Sequence, residues 1–345
     1  MKISNAVRYW LELPISSCIT EILSLPVNRG GFGIPSLCAT TEKLRLNQRH
    51  KFKNSTNEEN HSLWELTKSE NVKVDSIILK TADRKTAMKI LSLEKEEFAF
   101  DHLKQLKIQG QTIVALSEAV SKACLSKWSK ALNILTTPLY NFTRKALQQQ
   151  LPTASNLARW KKILDPSCPL CQKRQTNKHV LSNCGSLSAL ERYKQRHDKV
   201  LTILAEWMRR NIKPNHTIHV DLEAFEGYRP LSELFTSKRP DIAILSANRI
   251  DTLELTVCHE TNMLKSKPYK QSKYENLKQD LKSTYKNCRL INHTAEVSTL
   301  GIMSDFSSFA NQTLMASLPD NINTNIILSV ISSSFVIYCN RNLSS

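Results

Sequence analysis

The sequence predicts an α+β protein with a mainly helical N-terminal half, a small cysteine-histidine knuckle and a C-terminal α/β core. Three observations support this prediction. Apolar residues recur at helical spacing from about residue 75 to residue 160. Three cysteines and a histidine fall between residues 168 and 184, and two short apolar runs near residues 242 and 257 precede a lysine-rich helical pattern. The chain is therefore predicted to contain helices, a knuckle and a sheet, in that order.

The composition of the chain restricts the class of partner. Its 345 residues carry a formal net charge of +17, and 41% of them are hydrophobic, which is enough to form a core. A basic surface binds polyanions by releasing their counterions, so nucleic acid is the favoured partner. An anionic membrane surface and a basic protein without a specific partner are the alternatives.

Cysteine usage and the two ends of the sequence indicate the compartment. The nine cysteines are odd in number and mostly scattered, which does not indicate a disulfide framework. The N-terminus has no uninterrupted apolar stretch, so no signal peptide is expected. The apolar tail from Ile326 to Cys339 is about 14 residues long with four serines, too short and too polar to span a bilayer. We therefore expect a cytosolic or nuclear protein without a transmembrane segment.

The N-terminal half is predicted to be a helix, a turn, a linker and a helical region. The turn Asn28 to Leu37 contains Gly30, Gly31 and Gly33. Their spacing matches no phosphate-binding loop and no strand precedes them, so a structural turn is the better interpretation. The polar stretch 41–75 is predicted to be a loop, a linker or a disordered segment. The predicted segments of the whole chain are 1–40, 41–75, 76–164, 165–186, 187–310 and 311–345.

The knuckle sequence has the spacing of a metal site. Two residues separate Cys168 from Cys171, and His179 and Cys184 follow about one helical turn apart. Two thiols on a tight turn and a His/Cys pair can complete a tetrahedron around Zn²⁺. The metal would supply folding energy to a segment with almost no core. Reduced cysteines beside a surface histidine are the alternative.

Basic side chains surround the knuckle and continue into the helical pattern 187–212. A solvated basic face is one interpretation, and contact with a nucleic-acid backbone is the other. The candidate contact residues are Arg159, Lys161, Lys162, Lys173, Arg174, Arg192, Arg196 and His197.

Two carboxylates mark the predicted sheet. Asp241 opens the apolar run Ile242 to Leu245, and Glu254 lies in the run Leu253 to Val257, so a β-hairpin would place them on adjacent strands. Carboxylates on adjacent strands can hold a hard cation such as Mg²⁺, which polarises a scissile phosphate. A lysine of the following helix, Lys270 or Lys273, would stabilise the developing charge.

The order of these parts resembles the C-terminal part of the Pol protein of early-branching, site-specific non-LTR retrotransposons. The glycine turn resembles the end of the reverse transcriptase thumb. The resemblance continues through Leu151-Pro-Thr153, the four knuckle residues and Arg196-His197-Asp198, and ends with Pro240-Asp241, Glu254 and Lys273-Tyr274.

The resemblance implies a restriction-like PD-(D/E)xK nuclease core that nicks a DNA target duplex, with Zn²⁺ in the knuckle and Mg²⁺ at the carboxylates. It adds Glu260 as a further acidic position, and element RNA as a second nucleic-acid partner in the nucleus. The usual Asp/Glu-x-Lys lysine is replaced by Thr256, so a helix lysine would take its place. No Asp-Asp pair occurs, and reverse transcription is not expected. A catalytically inactive nucleic-acid-binding remnant of a truncated element, and a decayed element without function, are the alternatives. The oligomeric state is left open.

Overall fold

The computed structural model describes residues 2–15, 17, 19–67, 72–223, 225, 239–273 and 289–343. This part of the chain is a mixed α+β protein, as the sequence predicts. Its helices are α1 (Lys2–Trp10), α2 (Ile19–Ser24), α3 (Leu37–Lys53), α4 (Glu58–Thr67), α5 (Val72–Leu79), α6 (Arg84–Gln105), α7 (Gln111–Ala119), α8 (Lys122–Leu132), α9 (Thr137–Leu147), α10 (Ala154–Arg159), α11 (Leu187–Asn211), α12 (Met263–Lys273), α13 (Ser307–Thr313) and α14 (Asp320–Cys339). Its strands are β1 (Thr217–Val220), β2 (Ile242–Ser246), β3 (Arg249–Cys258) and β4 (Arg289–Ser298).

The four strands form one sheet in sequence order. β1 pairs antiparallel with β2, β2 antiparallel with β3, and β3 parallel with β4. The predicted hairpin, the strand beginning at Thr217 and the strand near Ala295 are all confirmed. The helix expected to follow β3 is described as far as Lys273, and its predicted continuation to about residue 286 lies outside the described residues.

The two faces of β3 have different chemistry because successive side chains of a strand point to opposite sides. Leu253 and Leu255 lie in an apolar core with Ala295 and Val297 of β4. Glu254 and Thr256 alternate with these leucines and therefore face the other side of the sheet. This alternation places the Glu254 carboxylate on the face of β3 opposite to the apolar core.

Two large cores share one helix. The first core packs α8 and α9 against neighbouring helices and includes Ile327 and Ile331 of α14. The second packs α11 and the sheet, and includes Ile326 and Val330 of the same helix. α14 thereby joins the helical half to the sheet.

The C-terminal helix α14 is longer than the apolar tail that the sequence predicted. The helix has 20 residues, and by length and composition it is the one described helix that could cross a membrane. The sequence-based prediction missed its first turns because Asp320, Asn321 and Asn323 are polar. Ile326, Ile327, Val330 and Ile331 of this helix are buried in the two cores.

The described residues of the polar stretch 41–75 are mainly helical, where a loop, a linker or a disordered segment was predicted. Most of α3, all of α4 and the start of α5 lie in it, and Leu46 and Trp64 pack against Leu91 of α6. The Arg49 guanidinium pairs with the buried Asp75 carboxylate and lies over the Trp64 ring at 4.8 Å. A linker was predicted because these few apolar residues are widely spaced among polar ones.

Candidate zinc knuckle and neighbouring carboxylate site

The four predicted zinc ligands come together. One ligand atom from each of Cys168, Cys171, His179 and Cys184 lies within 4.8 Å of the others. The sulfur of Cys184 is 4.0 Å from that of Cys168 and 3.7 Å from that of Cys171, and the Cys171 sulfur is 3.3 Å from Nε2 of His179. Tetrahedral zinc with ~2.3 Å Zn–S bonds requires sulfur atoms about 3.8 Å apart. The residues therefore fit a zinc ion.

Backbone hydrogen bonds favour negative charge on the knuckle sulfur atoms, whereas burial opposes it. Burial raises the pKa of the Cys168 thiol, against backbone amides of Leu170 and Cys171 that lower it. At Cys171, burial is outweighed by several hydrogen bonds, including one from the Lys173 amide, and the pKa is lowered. Burial also lowers the pKa of His179 and so favours the neutral imidazole that binds metal.

The knuckle is anchored to the rest of the protein by the segment Leu151 to Asn156. The side-chain amide of Asn156 donates to the carbonyl oxygens of Gln149 at 2.8 Å and Leu151 at 2.7 Å. The Ala154 amide donates to Oε1 of Gln175 in the knuckle at 2.9 Å. The Leu-Pro-Thr segment ahead of the zinc ligands thus has a structural role in the described chain.

Some of the basic residues predicted to contact nucleic acid are exposed without a described hydrogen bond, and others donate hydrogen bonds to the protein. Lys161, Lys162 and Lys173 are exposed on and beside the knuckle. Arg159 and Arg174 are also exposed but donate to Gln150 and Ser155.

Two other arginines are committed to protein contacts. Arg192 donates to the carbonyl oxygens of Asn340 and Leu343, both at 2.8 Å. Arg196 is 1% exposed and donates to Ser334 of α14 at 2.9 Å. Arg196 was predicted to contact nucleic acid, but in this structure it lies on the buried side of α11. The basic residue pattern of the helix did not reveal this burial.

Asp241 and Glu254 lie opposite each other on adjacent strands. Asp241 precedes Ile242, which is in register with Leu253, so the next pair in the antiparallel ladder is Asp241 with Glu254. Oδ2 of Asp241 accepts a 2.7 Å hydrogen bond from the Leu255 amide. Burial raises the pKa of Asp241, and the charge of Glu254 raises it further.

Of the two candidate lysines in α12, Lys270 contacts the Glu254 carboxylate. Its Nζ lies 2.5 Å from Oε1 of Glu254, which is itself 6% exposed. The side chain of Lys273, the other candidate, lies outside the described residues. Thr256, at the usual lysine position, has a buried hydroxyl oxygen without a hydrogen-bond partner among the described residues.

Glu260 lies beyond the end of β3, away from this pair. Its Oε1 accepts from the Thr299 hydroxyl at 2.9 Å and from the Leu300 amide at 3.0 Å. These contacts hold the turn that follows β4.

His197, predicted as a nucleic-acid contact, lies beside Asp241, a contact that the sequence did not predict. Its Nε2 is 3.5 Å from Oδ2 of Asp241 and 3.3 Å from the Leu255 carbonyl oxygen, while Nδ1 is 3.1 Å from Oδ1 of Asp198. Burial disfavours the imidazolium, but contacts with Asp241 and Asp198 outweigh it and raise the pKa of His197 to about 9. The adjacent His197-Asp198 pair in the sequence was the available signal.

The comparison with known families concerns the knuckle. Residues 118–190 match the family described as zinc-binding in reverse transcriptase. This region is similar to the zinc-binding part of reverse transcriptases. The match covers α8, α9 and α10 as well as the four predicted ligands. No curated protein matches the chain.

Proposed function

We propose that this protein binds DNA and element RNA in the nucleus and nicks a DNA target duplex with a Mg²⁺ ion held by Asp241 and Glu254. The proposal rests above all on one observation: Asp241, immediately before β2, lies opposite Glu254 of β3, and Lys270 contacts Glu254. The zinc knuckle adds a nucleic-acid-related region of the reverse transcriptase kind beside them. The finer origin, a restriction-like endonuclease from a non-LTR retrotransposon, belongs to this proposal.

A site with only two protein carboxylates is typical of Mg²⁺. Among the described residues, only the knuckle brings three or more His, Cys, Asp or Glu ligands together. Mg²⁺ commonly binds one or two carboxylates, keeps several waters and takes its other ligands from substrate phosphates. An ion held in this way would polarise the scissile phosphate and activate water.

The residues of this chain have separate roles in the proposed reaction. Asp241 is oriented by the Leu255 amide, and Glu254 is positioned by its strand. The Lys270 ammonium would neutralise charge that develops on the phosphate when Glu254 turns to the cation. Exposed Lys161, Lys162 and Lys173 would bind the nucleic-acid backbone.

The test is nicking of a supercoiled plasmid by zinc-loaded, full-length protein with added Mg²⁺. We expect Asp241→Asn and Glu254→Gln each to reduce the nicking rate about 100-fold or more, because each removes a carboxylate from the cation and the reacting phosphate. Asp251→Asn is the matched control, since Asp251 is also a buried carboxylate of β3 but pairs with Arg249 and His293. Equal nicking by all three variants and the parent would disprove the assignment.

A second function, nucleic-acid binding without cleavage, is favoured by a specific observation. Asp241 contacts His197 and Glu254 contacts Lys270, so each carboxylate already has a cationic partner. Under this alternative the parent protein binds DNA with high affinity but produces no Mg²⁺-dependent nicks at any protein concentration.

A further inference from the structure

His197 links α11 to the two elements that form the carboxylate site. Its Nε2 lies near two oxygens of different residues, Oδ2 of Asp241 and the carbonyl oxygen of Leu255. The same Oδ2 accepts the Leu255 amide. A histidine that reaches both residues restrains the carboxylate and the β3 backbone together.

The ring of His197 is itself oriented from its other side. Nδ1 lies 3.1 Å from Oδ1 of Asp198, whose Oδ2 accepts from Lys194 at 2.7 Å. Carboxylate partners of this kind fix the orientation of an imidazole ring. The side chain is 24% exposed, so it stands at the edge of the site rather than on the open surface.

The rotation of α11 is fixed by buried contacts, which makes the position of His197 specific. Arg196, the preceding residue, is buried against Ser334 of α14. Val200 and Leu204 pack in the core beneath the sheet. Because successive residues of a helix are about 100° apart, this packing directs His197 towards Asp241 and Leu255.

We propose that His197 is a positioning residue of the Asp241–Glu254 site, where it holds Oδ2 of Asp241 and the Leu255 carbonyl in place and is itself held by Asp198. This inference rests on the proposed function. Asp241 immediately precedes β2, and the contacts of its carboxylate with His197 and with the Leu255 amide both fall on Oδ2. They fix the carboxylate plane, and with it the direction in which Oδ1 is presented to a cation.

The test compares His197→Ala, His197→Gln and the parent as full-length, zinc-loaded proteins. Mn²⁺ binding without DNA is measured by titration calorimetry, and nicking is measured against Mg²⁺ concentration. We expect His197→Ala to raise both the Mn²⁺ dissociation constant and the half-maximal Mg²⁺ concentration about tenfold or more, the usual effect of removing a residue that orients a metal ligand. The DNA dissociation constant should not change. Glutamine can still donate from a similar position, so His197→Gln should restore most of the affinity.

His293→Ala is the matched control. His293 also pairs with a buried aspartate on this sheet, with Nε2 3.0 Å from Oδ1 of Asp251, but neither residue belongs to the proposed site. Its metal affinity should equal that of the parent. Asp198→Asn, which leaves His197 in place without its charged partner, should give a Mn²⁺ affinity between those of the parent and His197→Ala.

Three outcomes overturn the inference. If His197→Ala binds Mn²⁺ as tightly as the parent, His197 does not position the site. If it weakens DNA binding and leaves Mn²⁺ binding unchanged, the histidine is a nucleic-acid contact instead. If the parent neither binds Mn²⁺ nor nicks DNA, the proposed function fails together with the inference. Should His197→Ala fail to fold, the comparison of His197→Gln and Asp198→Asn with the parent decides the matter by the same two affinities.

Discussion

A single hydroxyl, that of Tyr193, organises the zinc knuckle from α11. It accepts from the Cys184 amide at 3.2 Å and lies 3.1 Å and 2.8 Å from the carbonyl oxygens of His179 and Val180. Burial raises the pKa of Tyr193 to about 12, so the phenol keeps the proton that it donates. Two of the four zinc ligands are thus restrained by one side chain.

We expect Tyr193→Phe to raise the zinc dissociation constant about tenfold or more, since groups that orient metal ligands usually have an effect of this size. Competition with a chromophoric chelator measures the affinity. Tyr140→Phe, on α9 beside Arg144, is the control for removal of a tyrosine hydroxyl and should bind zinc as the parent does. Equal affinities for both variants would show that the backbone alone sets the ligand positions.

At this scale the sequence predicts what is close along the chain. The zinc ligands span 17 residues and their spacing alone indicates the site. The neighbour of Asp241 could not be predicted in the same way, because His197 lies 44 positions earlier and its contact depends on how α11 rotates against the sheet. Arg196 and His197 are both polar and adjacent, yet one is buried against α14 and the other faces the carboxylates.

The glycine turn before α3 packs closely against the backbone of Leu25. Gly30 and Gly33 have φ of 83° and 67°, and a Cβ at Gly31 would lie 2.0 Å from the Leu25 carbonyl oxygen. The Arg144 guanidinium lies 4.1 Å from the Phe32 ring centroid and 3.4 Å from the Gly31 carbonyl oxygen. The turn is docked on α9 by these contacts.

We expect Gly31→Ala to lower the free energy of unfolding by about 3 kcal/mol, because backbone atoms would have to move to admit the methyl group. Guanidinium denaturation followed by circular dichroism measures the change. Gly185→Ala is the control, since a Cβ there meets no atom within 4 Å, and it should change stability by less than about 0.5 kcal/mol. Similar midpoints for the two variants would contradict the close approach.

Glycine spacing predicted this turn, whereas composition did not predict the helices in the stretch 41–75 that follows it. A turn needs only local residues that accept positive φ. The helices over 41–75 are stabilised by packing of Leu46 and Trp64 against α6 and by the buried Arg49–Asp75 pair, and no local pattern reveals these partners. The β2–β3 hairpin was predictable for the opposite reason, because both of its partners are adjacent in sequence.

For the whole molecule, the charge of +17 would make the proposed DNA binding sensitive to salt. We expect the combined change of Lys161, Lys162 and Lys173 to Gln to reduce the slope of log K against log salt by up to about 0.9 for each phosphate that the variant no longer neutralises. Fluorescence anisotropy with a labelled duplex at several salt concentrations measures the slope. The same change at exposed Lys80, Lys85 and Lys89 removes equal charge from the N-terminal helices and should leave the slope close to that of the parent. Equal slopes for the two triple variants would show that Lys161, Lys162 and Lys173 do not contact the DNA.

Because α14 is translated long after the helices and strands that it packs against, it affects how the chain folds during synthesis. Both cores need its apolar residues, yet α8, which it covers in the first core, emerges about 190 residues earlier. At ribosomal rates of about 5–20 residues per second, the gap lasts roughly 10–40 s. During this interval the nascent chain presents two unfinished apolar surfaces, one on the helical half and one beneath the sheet. Chaperones that recognise such surfaces would therefore bind the growing chain before α14 is made and be released when it docks.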